Sequence, residues 1–171
     1  AMVEAGLRLI RDALAAGAPL PTEAELAGHV TRFGISTMYA EHEDVVVGQM
    51  LAGGLVYTGR NAAFPHGLPS AERVKPGETF ILSLGCAVGG RFAESERTFV
   101  LGEPDDTQRR YHEVARLAQA TGTDALVAGR PCSEANRICL QVIHDAGMGQ
   151  YLRHRQGHGI GLWLHEPPWV A

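Results

Sequence analysis

Apolar residues recur at helical spacing over residues 3–16, where Val3, Leu7, Ile10 and Leu14 fall on one side. Gly17, Pro19 and Pro21 stop that helix. Thr22 then stands as an N-cap, with Glu23 and Glu25 in the first turn and Leu26 and Val30 on one face, and Gly34 ends this second helix. The pattern becomes β-like over 44–50 and 53–58, and loop chemistry follows at Gly59-Arg60-Asn61 and at Pro65-His66-Gly67-Leu68-Pro69. Pro76-Gly77-Glu78 is a turn that launches an apolar run from Thr79 to Ala87, and Gly89-Gly90 returns the chain into a second strand over 91–101.

The second half opens on a helix that Asp105 or Asp106 can cap, with Tyr111, Val114, Ala115, Leu117 and Ala118 on one side. Gly129 and Pro131 break the pattern. Ser133 with Glu134 opens another helix whose buried face is Ile138, Val142 and Ile143. A Gly-rich stretch over 157–168 ends in Pro167-Pro168. The order of helices and strands predicts a mixed α/β (α+β) domain. It also contains an echo: Gly17-Ala18-Pro19 precedes Thr22-Glu23-Ala24 as Gly129-Arg130-Pro131 precedes Ser133-Glu134-Ala135. A helix–helix–sheet unit used twice explains that echo, with the second sheet outside these 171 residues.

Composition narrows the function classes. A net charge of −4, with one Lys and no basic stripe, gives nucleic acid and anionic membranes no electrostatic purchase. No apolar run reaches the length of a bilayer span. Cys86, Cys132 and Cys139 lack CxxC spacing, which points to a reduced, cytoplasmic setting.

The candidate chemistry lies in histidines and carboxylates set in Gly/Pro contexts. His66 follows Pro65 in a loop, and an imidazole titrates near working pH. Glu94 and Glu96 alternate along a strand and share a face, where two carboxylates call for a metal, a cationic substrate or Arg97 between them. His158 and His165 bracket a Gly-rich segment, with Trp163 and Trp169 as candidate pocket walls. His29, His112, His144 and His154 are read as surface or capping residues, His42 as part of a charged turn and Cys86 as core packing.

Three stretches carry a resemblance. They are Asn61-Ala62-Ala63-Phe64-Pro65-His66-Gly67, the run from Pro76-Gly77-Glu78 to Arg97-Thr98-Phe99, and Gly157-His158-Gly159-Ile160-Gly161 through His165-Glu166-Pro167. In order and spacing they resemble the pita-bread hydrolases, the group of methionine aminopeptidase, Xaa-Pro aminopeptidase, prolidase and creatinase. The resemblance implies a truncated pita-bread fold in which residues 2–171 form part of a catalytic domain. The first repeat then runs over 2–103 and the helical part of the second over 104–171. The N-terminal domain of larger relatives and the final sheet segment are expected to be absent, and this stretch alone is expected to be inactive. A homodimer is implied as well.

The family's peptidases hold two divalent metals with two Asp, one His and two Glu. The matching positions here are Ser83 and Glu94 for the Asp pair and His158 for the His, while both Glu fall beyond Ala171. A Ser hydroxyl is a poor ligand for Mn²⁺ or Co²⁺. Creatinase, the metal-free branch, resembles this chain in having Ser at the first position and a Glu directly before the Arg-Thr pair, here Glu96-Arg97-Thr98. The leading expectation is therefore a hydrolase that cleaves a C–N bond of a small substrate without cofactor. The resemblance gives His66 as its acid/base, Glu96 as the holder of a cationic nitrogen, His165 as a donor to the oxyanion, and Ser83 and His158 as substrate contacts. One alternative is a metal-dependent Xaa-Pro aminopeptidase or dipeptidase, with Glu94 and His158 on Mn, Co or Zn and a dipeptide as substrate. Another is a pita-bread domain that binds without catalysing.

Overall fold

The structure, a computed structural model, describes residues 1–42 and 52–171, so the strand expected over 44–50 lies outside the described residues. The described chain divides into two compact units. The first is Ala1–Glu103 with Gly161–Leu164, and the second is Pro104–Ile160 with His165–Ala171.

In the first unit, helix α1 spans Met2–Ala15 and turns Ala5, Gly6 and Ile10 inward. Gly6 is needed for close approach: a Cβ there would stand 3.2 Å from side-chain atoms of both Leu82 and Val30. Helix α2 spans Glu23–Glu41. Thr22 caps it through a reciprocal pair, the Glu25 N–H donating to Thr22 Oγ1 at 3.1 Å and the Thr22 N–H to Glu25 Oε2 at 2.8 Å. Gly34 does not end this helix, contrary to expectation. It is buried in mid-helix, and the inward row Leu26, Val30, Gly34 and Met38 continues through it. A helical Gly costs only about 1 kcal/mol, so packing on that row overrides it.

Strands β1 (Ala52–Thr58), β2 (Thr79–Val88) and β3 (Arg91–Val100) form an antiparallel sheet in that order. The β2–β3 turn is Gly89-Gly90, both at positive φ, as a two-residue hairpin turn of this hand requires. Successive side chains alternate between the faces of the sheet. One face carries Val56, Phe80, Leu82 and Leu84, which form the core with Ile10, Leu26, Val30 and Val74. Phe80 stacks on Phe99 with ring centroids 5.2 Å apart. The other face carries the candidate chemistry.

In the second unit, α3 spans Asp106–Ala125 and α4 spans Cys132–Asp145. Asp105 caps α3 in a reciprocal pair with Gln108. Helix α4 starts one residue before Ser133, after Pro131 and without a side-chain cap. The expected apolar faces are buried only in part: Ala118 is buried and Val114, Ile138, Val142 and Ile143 are half-buried, but Ala115 is exposed. Tyr111 and Leu117 are 42% and 50% exposed, while Ala118 and Ala125 of α3 and Ala135 and Cys139 of α4 are buried. The two helices meet through small residues: a Cβ on Gly122 would stand 2.9 Å from Cys139 Cβ. Strands β4 (Gly157–Gly159) and β5 (Glu166–Val170) pair antiparallel, with an irregularity between His158 and Gly159.

Candidate active site

The outer face of the first unit's sheet is built by register. Leu55 lies opposite Ser83 and Tyr57 opposite Ile81, while across β2 Ser83 lies opposite Glu96 and Gly85 opposite Glu94. Leu55, Tyr57, Ser83, Glu94 and Glu96 therefore share one face, with Glu94 and Glu96 exposed and Ser83 only 8% exposed. Gly85 puts no side chain beside Glu94. Ser83 Oγ donates to Glu96 Oε1 at 2.5 Å, a short bond to a carboxylate. Arg97 points off this face, and its guanidinium donates to the main-chain carbonyl of Glu96 at 2.6 Å.

Tyr57 is buried on the same face. Burial first, and then the charge of Glu96, push its phenol up to about 12, against a smaller opposite effect of the His66 main-chain N–H. The folded value lies above the ordinary 10, so this contribution to stability is whole below pH 10 and is lost as the pH rises through about 12. Absorbance titration at ~295 nm of the protein and of Tyr57→Phe checks it. The difference curve is expected to have a midpoint near 12; one near 10 contradicts the burial of the phenol.

The loop that carries His66 starts with a 3-10 turn over Gly59–Ala63. His66 is exposed and holds φ at 59°, a left-handed conformation that a non-Gly residue rarely adopts. Gly67 lies over the Tyr57 ring, where a Cβ would stand 3.4 Å from Cε1. Both ends of the loop are tied to one carboxylate. Glu23, fully buried, accepts from the Thr58 N–H at 2.6 Å, the Ser70 N–H at 2.8 Å, Ser70 Oγ at 2.7 Å and Asn61 Nδ2 at 3.0 Å. Burial raises the Glu23 carboxyl, and the bonds from Ser70, Thr58 and Asn61 outweigh it, so the group stays below the usual carboxylate range. In the sequence Glu23 reads only as a first-turn acid, and this role is missed. An acid after an N-cap is ordinary, and no local pattern marks one whose partners lie 35 to 47 residues away.

In the second unit, His158 of β4 and His165 before β5 meet edge to face, with ring centroids 4.2 Å apart. A ring nitrogen of each lies within 4.8 Å of the other. His158 Nδ1 stands 2.9 Å from the carbonyl oxygen of Gly159. A carbonyl only accepts, so Nδ1 carries the proton in the neutral ring and the lone pair is on Nε2. Gly159 permits the tight path: a Cβ would stand 2.5 Å from the Pro167 carbonyl oxygen. Trp169 stacks under Arg155, whose guanidinium carbon is 4.4 Å from the ring centroid, and Trp163 is largely exposed.

The donors can be weighed against a divalent metal. The Glu94 carboxylate and an imidazole with its tautomer set by a carbonyl, as in His158, suit Mn²⁺, Co²⁺ or Zn²⁺. Ser83 does not: its proton is committed to Glu96 and it brings no charge. Two of the three matched positions therefore fit a metal, each in its own unit.

Comparison with known proteins bears directly on this choice. The family model described as metallopeptidase family M24 matches residues 1–171. The chain is 43% identical over 117 residues to the Xaa-Pro dipeptidase of Lactobacillus delbrueckii subsp. lactis, a match covering 68% of this chain and 32% of that protein. It is 32% identical over 117 residues to the Xaa-Pro dipeptidase of Pyrococcus furiosus, a match covering 34% of that protein. Among solved structures, the prolidase of Pyrococcus horikoshii OT3 superposes with a TM-score of 0.84 at 26% identity, over 99% of this chain and 45% of that one. This chain spans less than half the length of these relatives, and the part it spans has the pita-bread fold. These findings correct two expectations. The metal-independent, creatinase-like reading has no support among them, and the absence of a cofactor gives way to a divalent metal. Ser83 and Glu96 weight the branch wrongly, because two matching positions count for less than similarity along the whole chain.

Proposed function

Because the chain belongs to metallopeptidase family M24, we propose that the whole protein is a metal-dependent dipeptidase that hydrolyses Xaa-Pro dipeptides. The observation that carries this reading is the 43% identity to a protein named as an Xaa-Pro dipeptidase. We assign Glu94 and His158 as metal ligands, each from its own motif.

A bound divalent ion supplies Lewis acidity and a water of lowered pKa. This chain's residues do the rest. His66, presented on its strained loop, carries a proton to the leaving proline nitrogen. His165 donates to the oxygen that gains charge as the carbonyl becomes tetrahedral. Glu96, oriented by the Ser83 hydroxyl, receives the substrate's ammonium group. Ser83 is the position that departs most from the family pattern, so the metal centre is an altered one. No helix among the described residues is long and apolar enough to cross a membrane. The three free cysteines support a reduced, cytoplasmic setting, and a homodimer completes the reading.

The test uses the full-length protein. Metal content is read by elemental mass spectrometry, and release of proline from Ala-Pro is followed with Mn²⁺ and then with EDTA. Bound metal and EDTA-sensitive release are expected. Hydrolysis indifferent to EDTA overturns the metal assignment, and dipeptide binding without any turnover converts the domain to a binding module.

A further inference from the structure

We propose that Glu23 is a positioning residue for His66, its buried carboxylate clasping both ends of the loop that presents that imidazole. The catalytic meaning of His66 rests on the dipeptidase reading above; the clasp itself rests on geometry alone.

One oxygen of Glu23 takes the Thr58 N–H, where β1 runs into the 3-10 turn, and the other takes the Ser70 N–H and hydroxyl, where the loop ends. Asn61 Nδ2 donates to both oxygens from inside the loop, at 3.2 and 3.0 Å. A carboxylate is suited to this because it accepts at two oxygens and donates nothing. It also reaches the loop from a fixed base. Glu23 is the first residue of α2, which is held by the Thr22–Glu25 capping pair, and the next turn of that helix puts Leu26 and Val30 in the core. The Glu23 N–H donates back to the Glu72 carbonyl at 2.9 Å, and the Ala24 N–H to that of Ser70 at 3.1 Å. The loop between these ties contains the one non-glycine residue at positive φ among the described residues, His66. Such a conformation persists where the surroundings over-determine it, and Glu23 does so from both sides.

Glu23→Gln tests the clasp with little change in shape. Its amide NH2 faces donors that need an acceptor, so part of the clasp opens. In the full-length protein, amide exchange at Thr58 and Ser70 is expected to quicken at least about tenfold. The His66 imidazole resonances should move while those of His158 stay. Bound metal should be unchanged while kcat/KM on Ala-Pro falls at least about tenfold, mainly in kcat, since misplacing a reacting group slows the step it serves. Ser70→Ala removes the hydroxyl that donates to Glu23 and accepts from Asn61 Nδ2 and the Glu72 N–H, leaves the Thr58 and Asn61 bonds to Glu23, and is expected to give the same pattern more weakly; it decides the matter if Glu23→Gln does not fold. Unmoved His66 resonances and unchanged exchange in a folded variant overturn the clasp. If the wild type shows no peptidase activity, the dipeptidase reading fails while the exchange and resonance results still judge the clasp.

Discussion

Replacing His158 by alanine in the full-length protein is expected to release most of its divalent metal and to lower kcat/KM on Ala-Pro about a thousandfold. The magnitude follows from the several kcal/mol that a metal-activated water and a polarised carbonyl supply, at about 1.4 kcal/mol per decade of rate. The residue is singled out by its tautomer. With the Nδ1 proton held by the Gly159 carbonyl, Nε2 is the basic nitrogen, and a metal takes a lone pair, not a proton. The β4 strand around it is glycine on both sides, and its path depends on Gly159, so the alanine variant keeps the backbone and loses the ring. Elemental mass spectrometry and steady-state kinetics check it, with unchanged circular dichroism as the fold control. His112→Ala, an exposed position on α3, is expected to leave both readings where they were. Full metal content in the His158 variant sinks the assignment.

What can be read from the sequence is what is encoded locally. Helix α1, the Thr22 cap, the Asp105 cap and the Gly89-Gly90 turn each depend on residues within a few positions, and each forms where its chemistry says. The alternation that puts Ser83, Glu94 and Glu96 on one face is also local, and the register realises it. Features set by distant partners are not legible. Gly34 looks like a stop until the row continuing to Met38 is seen against the core. Tyr111, Leu117 and Ala118 have the spacing of one buried face, but of these three only Ala118 is buried, because α3 meets α4 at Ala118 and Gly122, where small side chains allow the helices to touch. Glu23 is the clearest case: its role lies in bonds to Thr58, Asn61 and Ser70, and its own neighbourhood announces only a helix start.

Gly54→Ala is expected to damage both the sheet and the chemical face it carries. Gly54 pairs with Leu84 in the β1–β2 register, on the side of the sheet that meets the helices. A Cβ there would fall on the Ser83 carbonyl oxygen, and it would stand 2.6 Å from Leu84 Cδ2 and 2.9 Å from Leu84 Cα. Two of these three atoms belong to the backbone, so no rotamer change relieves them. Strand β1 has to move away from β2, and Leu55, Tyr57 and the Thr58 N–H that binds Glu23 move with it. Forcing one extra methyl group into a packed core costs about 1–3 kcal/mol when side chains can adjust, and the cost here is expected at or above about 3 kcal/mol. Urea unfolding of the full-length protein measures it. The same substitution in a Leu84→Ala background separates the causes. Relief of the clash with the Leu84 side chain should recover only a minor part of the loss, because the Ser83 carbonyl oxygen and the Leu84 main chain still block the new methyl group. Gly28→Ala is the contrast, on an exposed position of α2 with nothing within 4 Å, and is expected to stabilise by up to about 1 kcal/mol through helix propensity. A Gly54→Ala variant within about 0.5 kcal/mol of wild type, the range of an ordinary surface change, contradicts the close pairing of β1 with β2 at the site.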